Sequence, residues 1–287
     1  MLLSVPLALF LLRRASHADS WRGLLAAGVA FSFVNNTVFA LLHESVHGTF
    51  HARRWINEWA GRVTAAFLPT GLGFQRICHL GHHRRNRSDV ELFDYYLPED
   101  NRTLKTVQWY GILTGVYWLL SPVACLLYLA CPRMLTSPAL RGQSRFAVQT
   151  SADAMLSGFD DAPSGTIRLE IVFSLALQLA AAWTLDLSFA GWGICYALFA
   201  VNWSSLQYSD HAWSPRDARS GAWNLKVTPV VQALFLNYHH HQAHHENPQV
   251  PWIHLPKYVD FSRERPSFVE IYLRMWGGPR SLDKGRS

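Results

Sequence analysis

Residues 237–248 read NYHHHQAHHENP and carry five of the chain's 14 histidines within seven positions. One spacing inside the tract is His241-x-x-His244-His245. It recurs far upstream as His79-x-x-His82-His83, and a third cluster, His43-x-x-x-His47, closes an apolar run. On a helix, residues three and four apart share a side. Each cluster can therefore present imidazole nitrogens to one place. Eight clustered histidines exceed the four ligands of a tetrahedral zinc site, so two ions are expected. Imidazole suits iron, copper, zinc and nickel alike. A ninth candidate is His211, in Asp210-His211-Ala212, with a ligand role and a structural role both open. His239 and His240 read as spare or supporting residues. The isolated His17, His51 and His254 read as interface or packing residues.

The rest of the chain reads as membrane protein. Of 287 residues 49% are hydrophobic and only 16% charged, against roughly 25% charged for a soluble domain. The net charge is +6, carried mostly by arginine in the segments between apolar runs. That is the pattern of cytoplasmic loops, and it disfavours nucleic acid as a partner. Cys78, Cys125, Cys131 and Cys195 form no CxxC pair. They read as small apolar residues, leaving histidine to build any metal site.

Four spans are expected, near 24–42, 107–131, 171–185 and 187–203, the last two forming a hairpin that turns near Asp186. About 20 apolar residues cross a bilayer. The run Met1–Leu12 is shorter and reads as a partial span. Trp55–Phe74, with Pro69, Gly71 and Gly73, reads as interfacial or re-entrant. Segments 43–106 and 208–287 form a cytoplasmic cap, with a polar loop over 132–167. The fold class is thus an all-α integral membrane bundle of about four helices under a helical cap, one domain over 1–287. The three clusters must lie on one side of the membrane to share a site. Either 107–131 is a re-entrant hairpin broken at Ser121-Pro122, or 171–203 crosses only once. Proline supplies a mechanism for the first.

Taken together, His43-x-x-x-His47, His79-x-x-His82-His83 and His241-x-x-His244-His245 resemble the three histidine boxes of the membrane fatty acid desaturase family. The relatives of that family include alkane hydroxylases and carotenoid ketolases and hydroxylases. Asn237-Tyr238-His239, Val250-Pro251-Trp252 and Leu255-Pro256 resemble its segment around the third box. The resemblance implies a non-haem di-iron centre and O2 as co-substrate. It also implies an acyl or other hydrocarbon chain in a narrow tunnel, with His211 matching a further histidine of acyl-CoA desaturases. Gln207 stands where those relatives carry Asn, which puts a water-mediated contact there in doubt. No fused carrier domain is evident. A separate electron donor is expected, of ferredoxin, rubredoxin or cytochrome b5 type. Loss of a second hydrogen from the substrate gives a double bond and hydroxyl rebound gives an alcohol; the boxes do not distinguish them. The expected location is multi-pass in a bacterial inner membrane, with the metal site on the cytoplasmic side.

Ligand histidines commonly donate their second N–H to a carboxylate or carbonyl. Asp89, Glu91, Asp210 and Glu246 are candidates for that support, with Glu44 behind them. The competing reading has such carboxylates balancing Arg84, Arg85 and Arg87 on a solvated face, or the arginines meeting a phosphate headgroup. A rival from another class is a metal transporter or sensor. It would place ionisable residues inside the spans, whereas these clusters lie at span ends and in loops.

Overall fold

A computed structural model of the chain describes residues 1–142, 147 and 150–282. Parts of the expected 132–167 loop and the last five positions of the expected cap lie outside the described residues. The chain is mostly helical. Helix α1 (Ser4–Ser16) is too short to cross a bilayer and packs on the long α2 (Trp21–His47). The Ser20 hydroxyl caps α2 by accepting from Gly23 N. Gly48, at φ 79°, closes it by donating to the carbonyls of Glu44 and Ser45. This left-handed stop is one that glycine adopts without strain. It leaves His43 and His47 in the last turn and a half.

Helices α3 (Arg54–Ala66) and α4 (Leu72–Arg85) form a hairpin that takes in the expected interfacial or re-entrant stretch 55–74. Asn57 donates to Ser45 O beside the end of α2, and Asn35 donates to Phe67 O well inside it. So α3 descends along α2, the chain turns over 67–71, and α4 climbs back to the level of His47.

The apolar run 107–131 is not one straight helix. It divides into α5 (Arg102–Leu113) and α6 (Leu120–Ala130), the latter preceded by a 3-10 turn at Val116–Leu119, with a bend of 89°. The break lies at Gly115, not at the expected Ser121-Pro122. Gly115 sits at φ 81°, and a Cβ there would fall 2.6 Å from the Ala200 and Val201 backbone. Pro122 instead occupies the first turn of α6, where its missing N–H has no helical partner to lose.

After the short α7 (Ala152–Leu156), α8 (Ser164–Thr184) and α9 (Phe189–Ser209) form the expected hairpin. It turns at Asp186, φ 50°, where Leu187 N donates to Ala182 O. Helix α8 starts beside α4: Glu170 accepts from Gly73 N and pairs with Arg62. It ends beside Ser16 and His17, where Asp186 lies 3.5 Å from His17. Helix α9 returns to the histidine end. Two described helices, Trp21–His47 and Ser164–Thr184, are long and apolar enough to cross a membrane, or three spans if the bent pair counts as one. The expected four is thus not reached. Helix α9 falls short because Asn202, Ser204, Ser205, Gln207 and Ser209 dilute it. Those residues face neighbouring helices, as where Asn202 donates to Ser32 Oγ, and interhelical polar contacts of this kind hold membrane bundles together.

The remaining described helices are α10 (Pro229–Leu234), α11 (His241–Glu246) and α12 (Phe268–Met275). A two-residue parallel pair, β1 (Tyr95–Tyr96) with β2 (Arg280–Ser281), fastens the segment after α12 to the one before α5. Cysteines 78, 125, 131 and 195 are all free.

Candidate metal centre

The nine candidate histidines converge at one end of the bundle and divide into two sets. His43, His47, His79, His83 and His244 form one; His82, His211, His241 and His245 form the other. Within each set, one nitrogen per residue lies within 4.8 Å of all the others. The clusters do not each serve one place, as helical spacing alone led us to expect. Residues i and i+4 are about 40° apart around a helix, but i+3 and i+4 diverge by about 100°. His79 and His83 therefore face one set while His82, between them in sequence, faces the other. In α11 the split is reversed: His241 and His245 join the second set and His244 the first. Each His-x-x-His-His helix bridges both sets.

In the first set the Nε2 atoms of His47, His79, His83 and His244 follow one another at 2.8, 3.1 and 3.0 Å. Nitrogens bound about 2.1 Å from one ion would lie roughly 3 to 3.5 Å apart. Burial holds His79 and His244 well below the ordinary imidazole value and His83 at about 2, so these rings are neutral lone-pair donors. His211, His241 and His245 are lowered by the same desolvation. Crowded neutral nitrogens without a counter-charge repel unless a cation lies among them. His43 Nε2 and His245 Nε2 are buried and have no hydrogen-bond partner. The donor set fits two transition-metal ions, and five donors in the first set exceed tetrahedral zinc.

Supporting contacts orient the rings. His82 Nδ1 lies 2.8 Å from Glu91 Oε2, and Arg85 holds the other carboxylate oxygen at 2.8 Å. His211 Nδ1 donates to Gly221 O at 3.0 Å. Each contact fixes the tautomer and frees Nε2 for an ion. Asn86 was not singled out from the sequence, although it follows the second cluster directly. Its amide donates to Ala218 O and Gly221 O and lies 3.5 Å from His245 Nδ1. Asn224 holds α11 by accepting from Ala243 N and donating to Gln242 Oε1; no spacing in the sequence marks it. The Tyr238 ring packs on His43 and His241, centroids 5.0 and 4.8 Å away, and its hydroxyl donates to Gln207 Oε1.

The carboxylates separate clearly. Glu91 supports a ring. Asp89 pairs with Arg216 and Glu246 with Arg263, both at the surface and neither with the arginines at 84, 85 and 87 that were expected to be balanced. Glu44 accepts from Thr49 Oγ1 and Trp252 N, not from a histidine. Asp210 is fully buried with neither side-chain oxygen partnered, and burial pushes its carboxyl well above the usual range. Of the arginine triplet only Arg84 is exposed. Arg87 is buried, pairs with Asp94 at 2.7 Å and donates to Ser214 O. Asp94 also accepts from Tyr208 OH and Trp213 N. This network ties the segment after His211 to the end of α4. His239 and His240 pack against each other at a tilt outside both sets, and His17, His51 and His254 do not enter them.

Comparison with known proteins agrees with this arrangement. The fatty acid desaturase family model matches residues 19–278. A curated relative, the sn-1 acyl-lipid omega-3 desaturase (ferredoxin) of Synechocystis sp., is 24% identical over 147 residues. That match takes in 49% of this chain and 41% of the relative. With the family model covering nearly the whole length and the boxes folded into two converging histidine sets, the chain belongs to the fatty acid desaturase family.

Proposed function

We propose that the chain is a multi-pass membrane oxidoreductase that uses two iron ions, O2 and external electrons to desaturate a fatty acyl chain. The observation that carries this reading is the pair of histidine sets, bridged by α4 and α11. His43, His47, His79, His83 and His244 would hold one ion, and His82, His211, His241 and His245 the other. Iron held there would supply the O2 chemistry and hydrogen removal that no side chain can perform. The protein positions the chain and keeps water out. A small cavity touches both sets and is walled by Ala40, Leu236, Trp252 and Leu255 beside Tyr238 and Glu44. At about 10 Å³ it has room for about one water, so an acyl chain would enter only as its apolar walls move apart. Hydroxylation, ketolation and terminal-alkene formation are the alternatives within the family. The relative's ferredoxin dependence makes a ferredoxin-type donor the first choice, before a rubredoxin or cytochrome b5 type.

The bent run and the hairpin support a topology with all three boxes on one side. In the proposed topology α2 and α8 cross, α9 returns beside them despite the polar residues at its histidine end, and the 89° bend returns the 107–131 run to its own side. All nine histidines then face the cytoplasm, in a bacterial inner membrane. A transporter or sensor would carry its ligands along a path through the bundle; here they gather at one end.

Lipid profiling after expression in a desaturase-free host tests the reaction. New double bonds without hydroxylated product are expected. Hydroxylated lipid alone would move the chain to the alternative chemistry, and no O2 consumption with any reductant would remove it from the oxygenases.

A further inference from the structure

The outer face of α3 carries a second concavity, independent of the histidine sets. It has a volume of about 660 Å³ and is lined by Arg53, Arg54, Trp55, Glu58, Trp59 and Arg62. The inner face of α3, with Asn57, Ala60, Gly61 and Thr64, is buried in the bundle. Trp55 is 63% exposed and Trp59 53%. Two large aromatic rings left so open on a helix with an otherwise satisfied inner face call for an environment other than plain water.

The charges are arranged for an anion. Arg62 pairs with Glu58 and Glu170 and lies over the Trp59 ring, 5.4 Å from its centroid. Glu58 is shared with Arg76 at 2.8 Å. The two glutamates are thus occupied by Arg62 and Arg76. Neither Arg53 nor Arg54 is in an ion pair among the described residues. The groove therefore holds two exposed, uncompensated guanidinium groups next to two indoles.

The depth of the groove selects the occupant. Asn57, between the two tryptophans, donates to Ser45 O. That puts the groove at the level of the last turn of the Trp21–His47 helix, where a spanning helix leaves the hydrocarbon. Tryptophan concentrates at this boundary, and anionic headgroups attract arginine there at about 1 kcal/mol per residue. Guanidinium also matches phosphate oxygens in a two-pronged geometry.

We propose that this groove binds the phosphate of an anionic phospholipid headgroup. The indoles of Trp55 and Trp59 would sit at the carbonyl level and Arg53 and Arg54 on the phosphate. The site needs no metal and is separate from the proposed reaction.

The full-length protein, reconstituted in vesicles of phosphatidylcholine doped with brominated phosphatidylglycerol or brominated phosphatidylcholine, provides the test. Bromine quenches nearby indoles, and the part of the quenching lost in a W55F/W59F variant reports the groove. Brominated phosphatidylglycerol should quench that part at lower mole fraction than brominated phosphatidylcholine. R53Q/R54Q should weaken the preference on the order of tenfold. R13Q/R14Q makes the same charge change on the exposed end of α1 and should leave it intact. Equal quenching by the two lipids would overturn the proposal, as would an equal loss in R13Q/R14Q. An R53Q/R54Q variant that keeps its lipid preference but is reduced more slowly by an acidic carrier protein would assign the groove to a protein partner, and the proposal would fall.

Discussion

At the residue scale, the two histidine sets are unequal, five donors against four. His211→Ala reduces the smaller set to three donors, while His47→Ala leaves the larger with four. Iron content of the purified protein should fall from about two per chain to about one for His211→Ala and much less for His47→Ala. Equal losses would contradict the division of the sets. Eight of the nine candidate donors were legible in the sequence, because the boxes repeat and metal ligation restricts residue type. For His211, outside the boxes, the sequence leaves a ligand role and a structural role both open. The division into two sets was not legible, since it depends on the angle between His82 and His83 and on how α11 faces α4. Among the supporting carboxylates the sequence offered four near-equivalent candidates. Only folding separates Glu91, on a ring, from Asp89 and Glu246, on surface arginines. The spare histidines carry a pH signature. Burial lowers His239 to about 3 and His240 to about 4, from an ordinary 6.5. The unfolded chain therefore binds protons below about pH 6.5 that the folded chain refuses. Stability is greatest above that pH and falls steadily toward about pH 3. Thermal unfolding at about pH 7.5 and about pH 5 should show a smaller difference for a H239N/H240N variant than for the parent.

At the scale of elements, the decisive feature is the break at Gly115. A charge-free run of 25 residues reads as one span, and proline was the visible candidate for interrupting it. Proline in a first turn does not break a helix, whereas a glycine at φ 81° pressed onto the α9 backbone does. The sequence shows that glycine, but not the helix it touches. Gly115→Ala places a methyl 2.6 Å from backbone atoms that cannot yield easily, in a conformation that L residues avoid. A loss of roughly 3 kcal/mol or more is expected, read as a marked drop in unfolding temperature in detergent. Ala substitution at Gly111, which has nothing within 4 Å of its would-be Cβ, should cost little. The α8–α9 hairpin was legible, since Asp186 interrupts the pattern where the chain turns.

At the scale of the whole molecule, the bent run and the hairpin together bring residue 237 back to the side of His43 and His79. Of the two solutions that the sequence left open, the 89° bend favours the break in 107–131, and the proposed topology pairs it with a full excursion of the hairpin. In a cysteine-free background, D186C and R84C should be labelled by membrane-impermeant maleimide from opposite sides of the membrane. Labelling of both from one side would contradict the proposed topology. The tight turn at Asp186 has a further bearing on synthesis. On this topology the connections after α1, at 17–20, and between α8 and α9, at 185–188, are the short ones that pass to the far side. Every long polar stretch stays where the ribosome is. The last candidate donors, in α11, emerge only after the hairpin has been threaded, so loading of the proposed metal pair would follow insertion and could not guide it.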